Sequence, residues 1–418
     1  MRVTIDPRPL EGALETVPSK SLSHRVLIAA ALGEEKCAID HLLEAMDIEA
    51  TRSALRALGL NATRTYAYGG KPQDQSGITI DAGESGSTLR FMIPVAMLQS
   101  EPVTFIGRGR LPKRPLSVYR DAFQPFGYLF RSTTPDELPL VVAGPLRAGH
   151  YRLRGDVSSQ FLTGLLMALP LVAGSSVIEL STPLESRGYV DLTLDVLRRF
   201  NVTIGEEEGR FLIPGDQSYR ARSAYVEGDF SQAAFFFVAG TIGKPIELSG
   251  LRKDSRQGDR AIVPIIARMG GRISYDQGRY LVTPSTTHGT TIDLGDIPDL
   301  GPILMVLAAL SKGRTTFLNT ERLRIKESDR LSAMQDVLAR FGVNMEIGNN
   351  RAVIEGTTVL KGNQTFDAFD DHRIVMAIAI AALRADGPVT IEGAQACRKS
   401  YPGFFEDYQG LGGVVHGS

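Results

Sequence analysis

The chain repeats one arrangement six times, and this repeat restricts the possible folds more than any other feature of the sequence. Each copy opens on a turn rich in Ser, Asp or Gly and continues into an apolar segment of helical length. The openings are marked by Lys20, Gly86, Ser158, Ser231, Asp299 and Asp371. Successive markers lie roughly 70 residues apart, and this regular period predicts a protein built from six similar units.

A second arrangement alternates with the first and consists of an amphipathic helix that ends at Gly or Asn. The residues at these helix ends are Gly59, Gly127, Asn201, Gly270, Gly342 and Gly412. Their spacing is also roughly 70 residues, in agreement with the first period. We interpret each unit as a strand, a buried helix, a strand, a helix with one exposed face and two short strands.

These units predict an α/β fold of two similar domains with three repeats each. A strand at residues 3–6 precedes the first unit, and we expect it to pair with the last unit and to make one domain discontinuous. The expected boundaries are residues 1–18 plus 228–418 for that domain and residues 19–227 for the other. A chain of 418 residues is long enough for two such cores.

Composition excludes several classes of protein. A hydrophobic fraction of 43% and a charged fraction of 22% are typical of a globular chain, and a net charge of −1 argues against a large nucleic-acid surface. The apolar segments are too short to span a membrane, and the first residues lack the apolar core of a signal peptide. Cys37 and Cys397 are far apart in the chain, which suits a reducing compartment. We therefore expect a cytoplasmic protein.

Positive side chains stand at helix starts, where the helix dipole disfavours them. The first opening contains Lys20 and Arg25, the second Arg90, and the sixth His372 and Arg373. Because a bound anion would offset this penalty, the helix starts predict a binding site for negatively charged groups.

Other openings carry hydroxyl groups. Ser21 and Ser23 are interpreted as caps of the first helix. Ser158, Ser159 and Gln160 open the third helix, and with the free N–H groups of a helix start they would form a neutral cradle for phosphate. Taken alone, the same pattern is also typical of a simple helix cap.

Further cations lie outside the openings. They are Lys113, Arg114, Arg324, Lys326, Arg330, Arg398 and Lys399. Lys326 and Arg330 are four residues apart and are expected on one helical face, where like charges repel unless an anion binds. The pattern predicts small substrates that carry phosphate and carboxylate. We expect their site in a cleft between the two domains, which would close on the anions.

The sequence contains no metal-binding spacing of His and Cys, no Walker loop and no GxGxxG after a strand, so we expect no metal and no cofactor. Asp299 in DIPDLG is by itself typical of a helix cap. As a functional residue it would need a substrate hydroxyl to deprotonate.

The chain resembles the enolpyruvyl transferases over nearly its whole length. The motifs that carry the resemblance are PSKSLSHR, DAGESGSTLRF, KRP, DVSSQFLTGLLM, SRGYVD, IPDLGP, LRIKESDRL, DDHRIVMA and CRKSYPGFF. The resemblance implies two domains of three βαβαββ repeats each, in an inside-out α/β barrel. It also implies transfer of the enolpyruvyl group of phosphoenolpyruvate to the 5-hydroxyl of shikimate 3-phosphate. This reaction serves the synthesis of chorismate and aromatic amino acids, with no metal or cofactor, and we expect a monomer.

The resemblance assigns residues to each substrate. Those implied for shikimate 3-phosphate are Lys20, Ser21, Arg25, Ser158, Ser159, Gln160, Ser186, Tyr189, Asp299 and Lys326. Those implied for phosphoenolpyruvate are Lys20, Gly86, Arg114, Gln160, Arg330, Arg373 and Lys399. The implied catalytic residues are Asp299, Glu327, Lys20, Lys326 and His372. Asp299 would take the proton of the 5-hydroxyl, and Glu327 would exchange the proton at the methylene carbon with help from Lys326.

Three positions depart from the family pattern. Glu84 stands where the family commonly has Asn, Phe91 where it often has Pro, and Arg322 where Asn is usual. A carboxylate near a phosphoenolpyruvate site repels the substrate unless Glu84 turns away or pairs with Arg90. Gly86 leaves room for glyphosate, which the family binds in the same place, so we expect sensitivity to this inhibitor.

Two alternatives remain open. The sister enzymes that transfer enolpyruvyl to UDP-N-acetylglucosamine typically have a Cys on the loop that here reads GRGRLPKRP, and this loop has none. The other alternative is a non-catalytic repeat scaffold, such as a clamp on nucleic acid. Such a scaffold predicts an excess of basic residues spread over exposed helices.

Overall fold

The computed structural model describes residues 1–134 and 137–417. Contacts within the chain divide it into two compact units. One, here called the split unit, consists of Met1–Ser19 and the chain from Glu227 onward; the other, here called the inserted unit, is Lys20–Val226. Among the described helices, none combines the length and apolarity needed to cross a membrane.

Helices and strands alternate along both units. The α-helices of the described residues are α1 Lys20–Ala31, α2 Met46–Ala57, α3 Gly86–Ala96, α4 Ser117–Phe123, α5 Ser159–Ala168, α6 Arg187–Arg199, α7 Phe230–Ile242, α8 Ile262–Arg268, α9 Gly301–Ala309, α10 Arg330–Arg340, α11 His372–Ala381 and α12 Phe404–Gly410. The strands of the same residues are β1 Arg2–Asp6, β2 Gly12–Glu15, β3 Cys37–Asp40, β4 Asn61–Ala62, β5 Tyr66–Tyr68, β6 Ile78–Asp81, β7 Val103–Ile106, β8 Leu129–Ser132, β9 Leu140–Ala143, β10 His150–Leu153, β11 Ser176–Leu180, β12 Gly205–Glu207, β13 Arg210–Ile213, β14 Ser223–Tyr225, β15 Ile246–Ser249, β16 Arg272–Asp276, β17 Arg279–Thr283, β18 Thr291–Asp293, β19 Arg314–Leu318, β20 Met345–Gly348, β21 Arg351–Glu355, β22 Gln364–Asp367, β23 Val389–Glu392 and β24 Val414–Gly417.

The strands form four-stranded sheets of one topology, three in each unit as far as the structure describes them. The orders are β6-β7-β9-β8, β10-β11-β13-β12 and β14-β3-β5-β4 in the inserted unit, and β2-β15-β17-β16, β18-β19-β21-β20 and β22-β23-β1-β24 in the split unit. In each sheet the first two strands are parallel and the other neighbours are antiparallel. The repeat predicted from the sequence is thus present in every sheet.

Three of the sheets take a strand from a distant part of the chain. β14 completes the sheet that contains β3, β2 completes the sheet that contains β15, and β1 lies between β23 and β24 of the last repeat. Where the chain leaves and re-enters the split unit, its two segments are antiparallel. Pro18 bridges Gly228, the N–H of Ser19 donates to the carbonyl of Glu227 at 2.8 Å, and the N–H of Asp229 donates to Val17 at 2.8 Å.

The first helix of each repeat is buried. Every residue of α7, α9 and α11 is buried, and these three helices pack on one another in the core of the split unit. In the inserted unit α3 packs closely on α5. The second helices end at the predicted residues, since Gly59, Gly127, Asn201, Gly270, Gly342 and Gly412 all adopt φ values between 61° and 98°. These left-handed conformations terminate the helices.

Two local predictions about helix caps are wrong. Ser21 and Ser23 lie inside α1 and do not cap it, because the helix already begins at Lys20. The hydroxyl of Ser23 instead accepts a hydrogen bond from the N–H of Leu43 at 3.2 Å. Asp299 does not cap α9 either, because it lies in a 3₁₀ turn, Pro298–Leu300, that precedes the helix.

Candidate active site

The guanidinium of Arg330 is the centre of a buried ion cluster in the split unit. Arg330 is the first residue of α10 and is 1% exposed. Its Nη1 donates to Asp299 Oδ1 at 2.8 Å, and its Nη2 donates to Glu327 Oε2 at 2.7 Å. Its Nε donates to Asp371 Oδ2 at 2.8 Å. One cation therefore fixes both predicted acid–base residues, Asp299 and Glu327, relative to each other.

Charge pairing sets the protonation of this cluster. Burial alone would lower the pKa of Arg330, but its three carboxylate partners, Asp371 most strongly, raise it above its ordinary value. Burial alone would raise the pKa of Asp371, and Arg330 holds it below its ordinary value. The carboxylate of Asp371 also caps α11 by accepting the N–H of Arg373 at 2.9 Å. Asp371 is thus both the counter-ion of Arg330 and the start of α11.

Lys326 approaches Asp299 from outside α10. Its Nζ lies 3.4 Å from Asp299 Oδ1. Burial lowers the pKa of Lys326 to about 8, and the attraction of Asp299 only partly offsets this. A lysine with a pKa in this range can give and accept a proton near neutral pH.

The prediction that Lys326 and Arg330 share one helical face is wrong. A 3₁₀ turn, Glu321–Ile325, ends just before Lys326, whose backbone is extended, and α10 begins only at Arg330. The two cations come together because both approach Asp299 Oδ1.

Arg373 connects the starts of three buried helices. It lies in the first turn of α11, and its Nη2 donates to the hydroxyl of Ser231 in α7 at 2.7 Å. Its Nη1 donates to the carbonyl of Asp299, just before α9, at 3.0 Å. Asp259 is buried beside Ser231, and burial together with the carboxylate of Asp299 raises the pKa of Asp259 to about 6. The starts of α7, α9 and α11 therefore meet at one group of charged side chains.

Lys399 and His372 lie at the edge of this cluster. The Nζ of Lys399 donates to the carbonyl of Asp370 at 2.7 Å and lies 2.8 Å from Oδ2 of the same residue. His372 is buried, with its Nδ1 at 3.8 Å from Asp371 Oδ1. Ion pairs join five of the predicted residues of this unit, which are Asp299, Lys326, Glu327, Arg330 and Arg373.

Arg25 organises the corresponding part of the inserted unit. Its Nη1 donates to the carbonyl of Ser21 at 2.8 Å, and its Nη2 donates to the carbonyl of Tyr189 at 3.1 Å. Its Nε donates to the hydroxyl of Thr193 at 2.8 Å. Burial lowers the pKa of Arg25 to about 10, so it is still a cation at neutral pH. Three residues that the sequence assigns to one substrate, Ser21, Arg25 and Tyr189, are therefore in contact.

The start of α5 presents hydroxyl and amide groups, as predicted. Ser158 caps the helix by accepting the N–H of Gln160 at 3.3 Å, and Ser159 is buried behind it. The side chain of Gln160 accepts a hydrogen bond from Arg90 Nη1 at 2.6 Å and donates one to the hydroxyl of Ser87 at 3.0 Å. Gln160 thus connects the start of α5 to the first turns of α3.

Gly86 allows Arg114 to approach the start of α3. A Cβ atom at Gly86 would lie 2.6 Å from Arg114 Nη1, closer than side chains approach each other. Ser85 caps α3 by accepting the N–H of Thr88 at 3.1 Å. Two residues predicted for phosphoenolpyruvate therefore meet at a helix N-terminus, a favourable place for an anion.

The last two predicted residues lie at other helix starts of the inserted unit. Lys20 begins α1, and its Nζ lies 3.0 Å from Asp47 Oδ2. Ser186 is buried just before α6 and adopts φ of 57°. Left-handed backbone is uncommon for Ser and tends to occur at functional sites.

The three departures from the family pattern each have a place in the structure. The carboxylate of Glu84 lies against the loop after β7, where a Cβ at Gly109 would be 2.7 Å from its Oε2. Phe91 is buried, and the guanidinium of Arg25 lies over its ring, 5.1 Å from the centroid. Arg322 donates to a backbone carbonyl in the loop before α9 at 2.9 Å.

The carboxylates that neutralise the predicted cations were missed at the level of sequence. Asp371 pairs with Arg330, Asp47 pairs with Lys20, and Asp259 interacts with Arg373. Clustered cations in a chain of net charge −1 indicate that such partners exist, but the pairs join different helices and have no fixed spacing in the sequence.

The cations at the helix starts of each unit can bind phosphate and carboxylate, and in the split unit protons can move between carboxylates and Lys326. In the part of the chain that the structure describes, no three His, Cys, Asp or Glu side chains are grouped so as to hold a metal ion.

Known proteins resemble this chain over its whole length. The family model of EPSP synthase (3-phosphoshikimate 1-carboxyvinyltransferase) matches residues 5–408. A 3-phosphoshikimate 1-carboxyvinyltransferase of Clostridium novyi is 43% identical over 99% of this chain and 98% of its own length. The enzyme of that name from Clostridium kluyveri is 44% identical over the same shares.

Solved structures agree on the fold. An EPSP synthase from Acinetobacter baumannii has a TM-score of 0.82 and 24% identity, with both chains fully covered. The enolpyruvyl transferase NikO from Streptomyces tendae has a TM-score of 0.80 and 16% identity, with 99% of this chain and 98% of the other covered. These likenesses confirm the predicted α/β fold of the enolpyruvyl-transferase type. From the family match over residues 5–408 and the identities of 43% and 44% to the two clostridial enzymes, the chain belongs to the EPSP synthase family.

Proposed function

We propose that this chain transfers the 1-carboxyvinyl group of phosphoenolpyruvate to the 5-hydroxyl of shikimate 3-phosphate, as the names of its relatives indicate. The observation that carries the proposal is the pairing of Asp299 and Glu327 on the buried guanidinium of Arg330, within a chain of this family. The reaction needs two proton-transfer groups beside an anion site, and this cluster supplies both.

In the proposal the inserted unit holds shikimate 3-phosphate. The cap and first turn of α5 offer the hydroxyls of Ser158 and Ser159 at a helix N-terminus, which suits a phosphate. Ser186, Tyr189 and Gln160 complete this part of the site. Ser21 and Arg25 bind the same substrate, and their contact with Tyr189 supports a single site.

Phosphoenolpyruvate binds arginines and lysines of both units in the proposal. Arg330, Arg373 and Lys399 belong to the split unit, whereas Gly86, Arg114, Gln160 and Lys20 belong to the inserted unit. Guanidinium groups match carboxylate and phosphate geometry with two parallel hydrogen bonds, which suits arginine for a ligand with both groups. We also propose that residues 1–18 with 228–418 and residues 19–227 are the two functional domains and that both act on the same pair of substrates.

Protons move in two steps. The oxygen of the 5-hydroxyl bonds to C2 of phosphoenolpyruvate while Asp299 takes the proton of this hydroxyl. C3 of phosphoenolpyruvate receives a proton from Glu327, with Lys326 nearby. The resulting tetrahedral intermediate then loses the C3 proton to the same groups as phosphate leaves. The positions of Asp299, Lys326 and Glu327 around Arg330 support this assignment. Lys20 and His372 support these transfers.

Three further features belong to the proposal. Glyphosate binds in the phosphoenolpyruvate site, since Gly86 lets the Arg114 guanidinium reach the start of α3 and the Glu84 carboxylate lies close to the backbone at Gly109. The protein is a cytoplasmic monomer, and its two cysteines, far apart in the chain, suit a reducing compartment. It uses no metal or cofactor.

The experiment compares two acceptors. The purified chain is mixed with phosphoenolpyruvate and either shikimate 3-phosphate or UDP-N-acetylglucosamine, and released phosphate is measured. We expect release with shikimate 3-phosphate alone. Release only with UDP-N-acetylglucosamine would support the sister reaction, and release with neither would contradict both.

A further inference from the structure

Asp47 connects the starts of two helices of the inserted unit. It lies in the first turn of α2, and its Oδ2 is 3.0 Å from Nζ of Lys20, the first residue of α1. Its backbone carbonyl accepts a hydrogen bond from the hydroxyl of Thr88, in the first turn of α3, at 3.2 Å. The side chain of Asp47 thus holds the Lys20 ammonium while its backbone holds the start of α3.

Buried hydroxyl groups keep Asp47 in this position. Thr51, one helical turn after Asp47, hydrogen-bonds the hydroxyl of Thr88 at 2.7 Å and His24 Nδ1 at 2.8 Å. The hydroxyl of Thr88 also lies 2.8 Å from the hydroxyl of Ser85, the cap of α3. All four of these partners are buried, and hydrogen bonds are strong in such surroundings. The first turn of α2 is therefore fixed relative to α1 and α3.

We propose that Asp47 is a positioning residue that orients the Lys20 ammonium toward the substrates. The inference rests on the proposed function, in which Lys20 contacts both shikimate 3-phosphate and phosphoenolpyruvate. An ammonium has three donors on a flexible stem, so a bond to Asp47 limits its motion and leaves donors for the ligands. Without Asp47, that order must be gained each time the substrates bind, which raises the barrier.

Glu49 provides a matched control. It is also an acidic residue in the first turn of α2, but it pairs with Arg52, and its side chain is 48% exposed. Glu49→Ala removes the same charge from the same helix start and leaves the contact between Asp47 and Lys20 in place. It therefore separates the positioning role from a general effect on the helix dipole.

The kinetic test uses single and double variants of the full chain. For Asp47→Ala we expect kcat/KM for phosphoenolpyruvate to fall by about 10- to 100-fold. Asp47→Asn keeps an oxygen near Lys20 and should recover part of this loss, whereas Glu49→Ala should stay within about twofold of the unmodified chain. In the Lys20→Met background, Asp47→Ala should have almost no further effect, because the two residues act as one unit.

A labelling test does not depend on turnover. Reductive methylation with formaldehyde and cyanoborohydride, followed by peptide mass spectrometry, measures how fast Lys20 reacts. We expect Asp47→Ala to speed this reaction several-fold and Glu49→Ala to leave it unchanged. Unaltered labelling in Asp47→Ala would overturn the proposed contact.

Other results also count against the proposal. Equal losses in Asp47→Ala and Glu49→Ala would assign the effect to the helix start, and a full additional loss in the Lys20→Met background would show that Asp47 acts independently. If the unmodified chain releases no phosphate with its proposed substrates, the proposed function fails. The labelling rates still decide whether Asp47 holds Lys20.

Discussion

Arg330 places Asp299 and Glu327 on one guanidinium, so either carboxylate can be changed while the other keeps its anchor. The third partner, Asp371, is fully buried and still balances the cation after such a change. Amide substitutions at Asp299 and Glu327 therefore test proton transfer with little disturbance of the cluster.

For Glu327→Gln we expect kcat to fall by about 100-fold or more, because the amide keeps the shape of the side chain but cannot exchange a proton. Phosphate release gives kcat, and calorimetric titration should give a Kd for shikimate 3-phosphate within about twofold of the unmodified chain. Asp299→Asn should reduce kcat similarly. Asp336→Asn, at an exposed pair with Arg340 on the same helix, is the control. Retained turnover would remove Glu327 from the mechanism.

Lys326 makes the activity depend on pH. Its pKa of about 8 means that the ammonium is present below that pH and lost above it. We expect kcat/KM to decline as the pH rises through about 8, and we expect Lys326→Arg, which stays charged, to move this decline upward. Assays between about pH 6 and 10 measure both profiles. An unchanged decline in Lys326→Arg would assign it to another group.

The contribution of Lys326 to folding stability changes with pH in the opposite direction to its effect on kcat/KM. Its folded pKa lies below the ordinary value of 10.5, so the unfolded chain binds more protons between about pH 8 and 10.5. This group therefore makes the folded state more stable as the pH rises through that range. Urea unfolding at the same pH values separates a loss of activity from a loss of structure.

At the scale of elements, the start of α3 accommodates Arg114 because Gly86 has no side chain. In Gly86→Ala the new Cβ would displace the guanidinium of Arg114. We expect KM for phosphoenolpyruvate to rise about tenfold, equivalent to about 1.4 kcal/mol, with KM for shikimate 3-phosphate unchanged. Gly410→Ala is the control, since a Cβ at that helical glycine meets nothing within 4 Å. An unaltered KM would contradict the role of Arg114.

Local chemistry made helix ends predictable from the sequence. Gly or Asn at the end of an amphipathic pattern takes a left-handed conformation that other residues avoid, and Gly59 and Asn201 do so as predicted. Helix starts were less predictable. Asp329 caps α10 by accepting the N–H of Ser332, so the helix begins at Arg330. Lys326 therefore precedes the helix and does not lie on its face, although the spacing of charges predicted that it would.

The candidate site was only half predictable for a related reason. Cations at helix starts are visible in the sequence because they conflict with the helix dipole. Their counter-ions are not, since Asp371 and Asp47 also serve as ordinary first-turn or cap residues. Only the folded chain shows that Asp371, at the start of α11, pairs with Arg330, at the start of α10.

At the scale of the whole molecule, the period of the sequence gives the number of repeats but not every strand exchange. The strand–helix order predicts a sheet for each repeat. β14 completes the first sheet although the strands of two other sheets separate it from β5 along the chain, and β2 completes another sheet in a similar way. Both exchanges depend on contacts that a period does not encode. The pairing of β1 with the last repeat was predictable because a strand at residues 3–6 precedes the first unit, whereas β2, which also precedes α1, was not foreseen.

The inserted unit has its own sheets and buried helices, so we expect residues 20–226 to fold when produced alone. The fragment should unfold cooperatively in urea and bind shikimate 3-phosphate, but it should release no phosphate because Asp299 and Glu327 are absent. Circular dichroism and calorimetry measure the first two properties. Ser158→Ala in the fragment should weaken binding, and Arg220→Ala, at an exposed side chain, should not. A fragment without cooperative unfolding would contradict the prediction.

The antiparallel segments around Pro18 and Gly228 have a consequence for how the gene can be edited. Ser19 and Glu227 already face each other beside an antiparallel bridge between Pro18 and Gly228. A two-residue Asn-Gly turn joining them would connect these antiparallel segments as an ordinary hairpin. With that turn in place, the split unit would be one continuous chain. The stretch that the turn replaces, Lys20–Val226, would thus be an insertion at a single loop of that unit.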